Sequence, residues 1–232
     1  MGRSTDLPSG IVSYEPEELV LRVYAGTPLA DVQSALKEKS QRLRIPMIGT
    51  VGGAVATRRN GIRPADNAAL PNVVLMCRAV DGIGRSFTAG GPTVKNVSGF
   101  DLVKLLVGSW GTLATISEVM LRTEPIPTTS RWFRGTGPTS SLFRPSVVWH
   151  TEGATIVNLE GHPDDVAQEA KKLPEFHEID PPSAIEETAL APATPHGTAP
   201  NGPLLDICRR LKRSFDPENT LSPDLSLRWG LL

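Results

Sequence analysis

The chain has 232 residues and a mass of 24.9 kDa; 39% of its residues are hydrophobic, 21% are charged, and its formal net charge is −1. That is enough chain for one good core and a smaller lobe, and its Lys and Arg residues are scattered instead of forming the basic stripe that binds nucleic acid. No apolar run approaches the roughly 20 residues of a membrane-spanning helix, and Met1 to Gly10 lacks the apolar centre of a signal peptide, so the expected compartment is the cytoplasm.

"GIVSYEPEELVLRVYAG" reads as two short strands around a Pro-Glu turn, because Val, Ile, Leu and Tyr recur between polar neighbours. A helix follows, with Thr27 as its cap, Pro28 at its first position and Asp31 near its positive end. Leu29, Val32 and Leu36 give that helix one apolar stripe. "GTVGGAVATRRNG" then places four glycines in thirteen residues, a composition that predicts no long regular element and lets backbone approach something closely. "NVVLMCRAV", "DG" and "RSFTAG" have the form of a strand, a hairpin turn and a second strand. In "SGFDLVKLLVG", Ser98 and Asp101 stand at capping-box spacing and Gly108 falls just past the predicted helix end.

Beyond the proline-punctuated "TEPIP", the segments "SVVWH", "ATIVNLEG", "HPDDVAQEAKKL" and "FHEID" predict a ββαβ lobe. Pro181 to Pro203 is poor in apolar residues and rich in proline, which predicts an exposed linker. The chain finishes with an amphipathic helix, "LLDICRRLKRSF", and a turn, "DPENTLSPD". Cys77 and Cys208, the only two cysteines, both lie in apolar stretches and read as packing residues. Two cysteines cannot supply the four ligands an iron–sulfur cluster ordinarily takes. His150, His162, His177 and His196 show no metal-ligand spacing, so no metal site is expected.

Several site grammars are absent. "GSWG" lacks the Gly-x-Ser-x-Gly spacing of a nucleophile elbow, no Walker sequence is present, and "DGIGRSF" is a hairpin turn instead of a dinucleotide fingerprint. What remains is two glycine-rich turns beside apolar strand, Gly49–Gly61 and Gly108–Thr112. They read either as tight turns or as backbone whose N–H groups and small side chains admit a large ligand.

Three stretches in this order, "TVGGAVAT", "KNVSGFDLVKLLVGSWGTLATISEVMLRTEP" and "FDPENTLSP", resemble the FAD-binding domain of the vanillyl-alcohol oxidase and p-cresol methylhydroxylase family. Within that family they are most similar to the FAD-binding subunits of bacterial glycolate oxidases. "GIVSYEPEELVLRVYAGTPLADVQSAL" adds to the likeness, which covers roughly residues 9 to 127 and 203 to 224. The resemblance implies an α+β fold, with a p-cresol methylhydroxylase-type FAD-binding domain over 1–127 completed by 203–232. The small ββαβ cap lobe would occupy 128–180 and the Pro/Ala-rich linker 181–202.

The resemblance also implies roles for particular residues. Thr50, Val51, Gly52, Gly53, Ala54 and Thr57 match a loop that lies along the flavin and its ribityl chain, and Gly61 matches the glycine that closes it. Gly111, Thr112 and Ile116 match a segment whose backbone runs near the cofactor. Lys95, Asn96, Gly99 and Asp101 match the preceding helix, and Ser222 stands where the family commonly has an asparagine near the flavin ring. The departures are Ala114 in place of a glycine, and Arg58 and Arg59 where small or amide residues are frequent. Family members begin with a further strand–helix–strand unit whose Arg-Gly-rich turn holds the FAD pyrophosphate, and this chain is expected to start after it.

The implied function is that of an FAD-dependent oxidoreductase subunit that oxidises a 2-hydroxy acid such as glycolate and passes electrons to an iron–sulfur partner subunit, in an assembly with another flavoprotein subunit. The alternative is a noncatalytic assembly subunit or truncated remnant of such a flavoprotein. On the lobe, Trp149, His150 and Glu152 are the aromatic or polar candidates toward substrate, and no pairing among them identifies a general base.

Overall fold

The computed structural model describes residues 7–59, 61–62, 70–91, 101–183, 185–187 and 201–232. The expected first strand pair forms as β1 (Ile11–Glu15) and β2 (Val20–Tyr24), antiparallel and joined by a turn over 16–19. In β2, Leu21 and Val23 point into the core and their neighbours do not, which is the period-2 pattern of a half-buried strand. The helix α1 (Leu29–Glu38) buries Leu29, Val32 and Leu36, the predicted stripe. Its start differs from the expectation: Pro28 is the cap residue, and the Thr27 hydroxyl is engaged instead by the Gly10 amide at 2.8 Å.

After the short β3 (Gln41–Arg42), the glycine-rich stretch folds as a helix, α2 (Val51–Thr57), where no long element was expected. Two helical glycines cost about 1 kcal/mol each relative to alanine, but Val51, Ala54 and Val55 are buried and the Thr50 hydroxyl accepts the Gly53 N–H at 3.1 Å. Burial and a cap together override the local penalty. A short turn of helix, α3 (Leu70–Val73), leads into the predicted hairpin of β4 (Val74–Asp81) and β5 (Ser86–Gly90). The helix α4 (Leu102–Leu106) is shorter than predicted; Asp101 caps it through the Lys104 N–H, while Ser98, Lys95, Asn96 and Gly99 lie outside the described residues.

β6 (Ala114–Arg122) is central to a five-stranded antiparallel sheet of order β1-β2-β6-β4-β5. One continuous core joins the inner face of this sheet to α1, α2 and α4. Ile116 and Val119 of β6, Cys77 and Ala79 of β4 and Leu36 of α1 all belong to it. The two-residue β7 (Glu124–Pro125) pairs with β3.

The second sheet has four antiparallel strands, β11-β8-β10-β9. It holds the expected β9 (Val147–Thr151), β10 (Ala154–Gly161), α5 (Pro163–Ala170) and β11 (Phe176–Ile179), and adds a strand that was not expected, β8 (Thr129–Gly135). One face packs Phe133, Val157 and Leu159 against Val166 of α5. The other packs Trp132, Val147 and Ile156 against Ile62, which joins this lobe to the first body. Arg42 strengthens the junction with a bidentate pair to Glu160 of β10, at 2.7 and 2.6 Å, while its Nε reaches Glu124.

The last elements are α6 (Gly202–Phe215) and α7 (Pro223–Arg228). Within the stretch expected to be an exposed linker, Glu187 is buried instead. Among the described residues, no helix is long and apolar enough to cross a membrane.

Candidate functional site

Three predicted segments far apart in sequence meet at the C-terminal end of α2. Gly108 and Trp110 donate their amides to the carbonyls of Val55 and Ala56, at 3.0 and 2.8 Å, so the Gly108–Thr112 turn is joined backbone to backbone with the helix. From the chain's end, the Ser222 hydroxyl reaches the carbonyls of Trp110 and Gly111, at 3.2 and 3.4 Å. Trp110 and Trp229 stack edge to face with centroids 6.3 Å apart.

The turn is bent by positive φ at Gly108 (85°), Trp110 (54°) and Gly111 (68°). Glycine adopts this region freely, whereas a tryptophan held there stores roughly 1–3 kcal/mol, a cost that surrounding contacts must offset. Arg58, which ends α2, is also left-handed (φ 50°), and a Cβ on Gly108 would come within 3.2 Å of Arg58 Cβ. Glycine at 108 therefore permits the close approach of turn and helix.

The expectation that the loop glycines present free amides holds for only some of them. Gly52 donates to Ala25 O at 2.8 Å, and Gly53 and Gly108 are engaged as above. A Cβ on Gly52 would lie 2.7 Å from Ala25 Cβ and 3.0 Å from Ala25 O, so this glycine is bare because α2 presses against the chain at Ala25. A Cβ on Gly53, by contrast, would meet only the Thr50 hydroxyl within 4 Å. Gly49 and Gly111 have amides with no acceptor among the described residues. The buried Ser109 hydroxyl, inside the turn, likewise has no hydrogen-bond partner among the described residues. Unpaired N–H groups and an orphaned buried hydroxyl beside an open helix face suit a polar cofactor with carbonyl and phosphate oxygens.

Other predicted residues have different surroundings. Val51 and Ala54 face the core, Thr57 bonds back to Gly53 O at 2.7 Å, and Thr112 bonds to Ser109 O at 2.6 Å. Ile116 lies in the ladder of β6 opposite Ala79, its side chain in the main core. Gly61 sits against Glu187, and any Cβ there would overlap that carboxylate. Arg59 ties down the start of the loop through Ile48 O at 2.8 Å. On the second lobe, His150 Nδ1 is 2.9 Å from Thr155 Oγ1 across β9 and β10, and Trp149 is partly buried against the lobe core. A cavity of about 450 Å³ opens elsewhere, beside α1, lined by Leu36, Lys37, Leu43, Met47 and Glu187 among others; none of the residues expected to meet a cofactor lines it.

Sequence reasoning did not find Lys212 and Asp216. In "RRLKRSFD" they look like part of a solvated charged face, yet their side chains are 1% and 0% exposed and paired with each other. Burial raises the cost of the Asp216 charge, but hydrogen bonds from Lys212, Leu221 and Thr220 outweigh it and hold the carboxyl below its ordinary range. The only signal in the sequence is the i, i+4 spacing of opposite charges, which is common on exposed helices.

No family profile matches this chain. Among curated proteins, the glycolate oxidase subunit GlcE of Escherichia coli is 38% identical over 126 residues, 52% of this chain and 36% of that protein. A D-lactate dehydrogenase of Archaeoglobus fulgidus is 46% identical over 76 residues, 33% of this chain and 17% of that protein. An uncharacterized FAD-linked oxidoreductase of Mycobacterium tuberculosis is 30% identical over 125 residues, 53% of this chain and 27% of that protein. The chain thus spans about a third or less of the length of these relatives. Among solved structures, an alkyldihydroxyacetonephosphate synthase superposes with a TM-score of 0.55 at 15% identity, over 71% of this chain and 39% of that one. At that identity the likeness is one of fold, and the fold is the expected α+β architecture of the p-cresol methylhydroxylase type.

Proposed function

We propose that this chain binds FAD and serves as a subunit of an oxidoreductase acting on a 2-hydroxy acid of the glycolate or lactate class. The observation that carries this reading is the convergence of α2, the Gly108–Thr112 turn and Ser222 in one place, with the Gly49 and Gly111 amides and the Ser109 hydroxyl lacking partners among the described residues. These are the segments on which the sequence resembles flavoproteins, and the similarity to a glycolate oxidase subunit, a D-lactate dehydrogenase and an FAD-linked oxidoreductase supports the same chemistry.

When bound, FAD supplies the hydride acceptor for the substrate's α-carbon. The chain's part is placement: α2 offers its Gly53 face, the turn offers the Gly111 N–H, and Ser222 and Trp229 fix the turn from behind. Oxidising a 2-hydroxy acid to a 2-oxo acid removes one hydride and one proton, so two electrons must then leave the flavin. We assign the onward electrons to an iron–sulfur partner subunit, a reading supported by the similarity to a protein that is itself one subunit of a glycolate oxidase. The test is to add FAD to the purified chain, remove free flavin by gel filtration, and record the spectrum. Retained flavin absorbance with altered fluorescence is expected, and a chain that emerges colourless at saturating FAD refutes the proposal.

A further inference from the structure

Lys212 heads the largest fully buried side chains among the described residues. Burying an ammonium costs several kcal/mol unless its hydrogen bonds are met, and here all three protons have acceptors. They are Asp216 Oδ2 at 2.5 Å, Leu221 O at 2.8 Å and Thr112 O at 3.0 Å. Asp216, one helical turn away, would suffice to neutralise the charge at the helix surface. The other two bonds reach outside the helix, one of them to a residue 100 positions earlier in the chain.

Asp216 carries the arrangement onward. Its Oδ1 accepts the Thr220 amide at 2.8 Å and its Oδ2 accepts the Leu221 amide at 2.8 Å, which shapes the turn leading to Ser222. Gly82 donates to Phe215 O at 2.8 Å, so the β4–β5 hairpin braces the same corner. Glycine is required there, since a Cβ on Gly82 would overlap the Asp216 carboxylate. Side chains of the C-terminal segment therefore hold the turn's carbonyls: Lys212 takes Thr112 O, and the single Ser222 hydroxyl proton is shared between Trp110 O and Gly111 O. Their grip restrains the turn from one side, while the Gly111 N–H has no acceptor among the described residues.

We propose that Lys212 is a positioning residue for the cofactor: by holding Thr112 O while bound to Asp216 and Leu221, it keeps the Gly108–Thr112 turn in the shape that presents the Gly111 amide. This rests on the reading that the turn meets FAD. It makes the C-terminal segment a working part of the site, acting through the turn without itself touching the ligand.

The test compares the full chain with Lys212→Met and with Arg213→Met, an exposed cation on the same helix. Amide hydrogen exchange is measured without FAD, at the hydrogen-bonded Gly108, Trp110 and Thr112 amides of the turn and in β4, and FAD affinity and the bound-flavin spectrum are measured by titration. In Lys212→Met, exchange in the turn should rise about tenfold or more with β4 still protected, and FAD should bind about tenfold more weakly, with displaced absorption bands. Arg213→Met should change none of these. Turn exchange and FAD affinity within twofold of the parent would overturn the proposal. If the parent chain itself fails to bind FAD, the cofactor reading falls, and turn exchange alone decides whether Lys212 positions the turn. If Lys212→Met loses protection in β4 as well, Lys212→Gln, which keeps a donor at the position, is measured. Loosening confined to the turn supports the proposal, and loosening throughout in both variants makes Lys212 a general stability residue and ends it.

Discussion

Neighbouring glycines in α2 should respond in opposite ways to the same substitution. In Gly52→Ala the new methyl lies 2.7 Å from Ala25 Cβ and 3.0 Å from Ala25 O, a backbone atom that cannot move alone. Forcing them apart costs about 1–3 kcal/mol for overpacking and weakens the Gly52 N–H bond to Ala25 O, worth about 1 kcal/mol. Alanine returns about 1 kcal/mol of helix propensity, which leaves a net loss of about 1–3 kcal/mol. In Gly53→Ala the methyl meets only the Thr50 hydroxyl, at 3.0 Å. That hydroxyl can shift at the cost of part of its cap, about 1 kcal/mol at most, and the propensity gain offsets it. Stability should therefore stay within about 0.5 kcal/mol. FAD affinity should nonetheless fall about tenfold, since an interaction of roughly 1.4 kcal/mol is lost if the ligand lies against that face. Urea denaturation and flavin titration on both variants separate the two roles. A Gly52→Ala chain as stable as the parent would refute the close-approach argument, and full FAD affinity in Gly53→Ala would refute the placement of the ligand along α2.

Four further outcomes are expected. Thr50→Ala removes the α2 cap and should cost about 1 kcal/mol by denaturant unfolding, whereas Thr50→Ser should cost much less. Arg42→Ala strips two hydrogen bonds from the largely buried Glu160 carboxylate and should cost about 2–3 kcal/mol, with the tryptophans of β8 and β9 reporting an earlier transition than the main sheet. Burial pushes the Cys77 thiol up to about 12 and raises Cys208 less, so a thiol reagent at neutral pH should label Cys208 in the folded chain and reach Cys77 only on unfolding. Asp216 is held below its ordinary range, so the unfolded chain takes up its proton first. Its contribution is complete above the unfolded value near 4 and is lost as pH falls through the lower folded value. Acid unfolding followed by Trp110 and Trp229 emission should show this loss below about pH 4, and Asp216→Asn should abolish that part of the pH dependence.

Much of the sheet could be read directly from residue order, for a simple reason. β2 buries alternate residues and β5 reads as polar and apolar residues in turn, while β4 is a run of apolar residues flanked by a "DG" turn that needs only local geometry. β8 could not be read this way because it is covered on both sides: Trp132 packs with Val147 and Ile156 while the adjacent Phe133 packs with Val157 and Val166. With both faces apolar, the alternation disappears. α2 was hidden by its glycines, whose helix penalty is local while the burial that offsets it comes from β2 and β6.

The candidate site divides along the same line. Which segments take part was legible in their residue types, but which atoms are available was not, because that depends on what the fold consumes. Among the glycine amides of these turns, those of Gly52 and Gly108 join α2 to Ala25 and to the second turn, that of Gly53 serves the α2 cap, and those of Gly49 and Gly111 have no acceptor among the described residues. A bare turn thus has three causes that look alike in sequence: a backbone bend that needs positive φ, room for another part of the chain, and room for a ligand. At Gly52 and Gly108 the neighbour is the chain itself, Ala25 and Arg58. At Gly53 and Gly111 no backbone crowds the missing Cβ and only a single hydroxyl lies near it, although the positive φ of Gly111 favours glycine on its own account, so Gly53 is where the ligand proposal is most directly tested. Lys212 belongs to the same argument from the other direction: a residue type that composition assigns to solvent is buried because Thr112 and Leu221 carbonyls, invisible to any reading of side chains, lie within its reach.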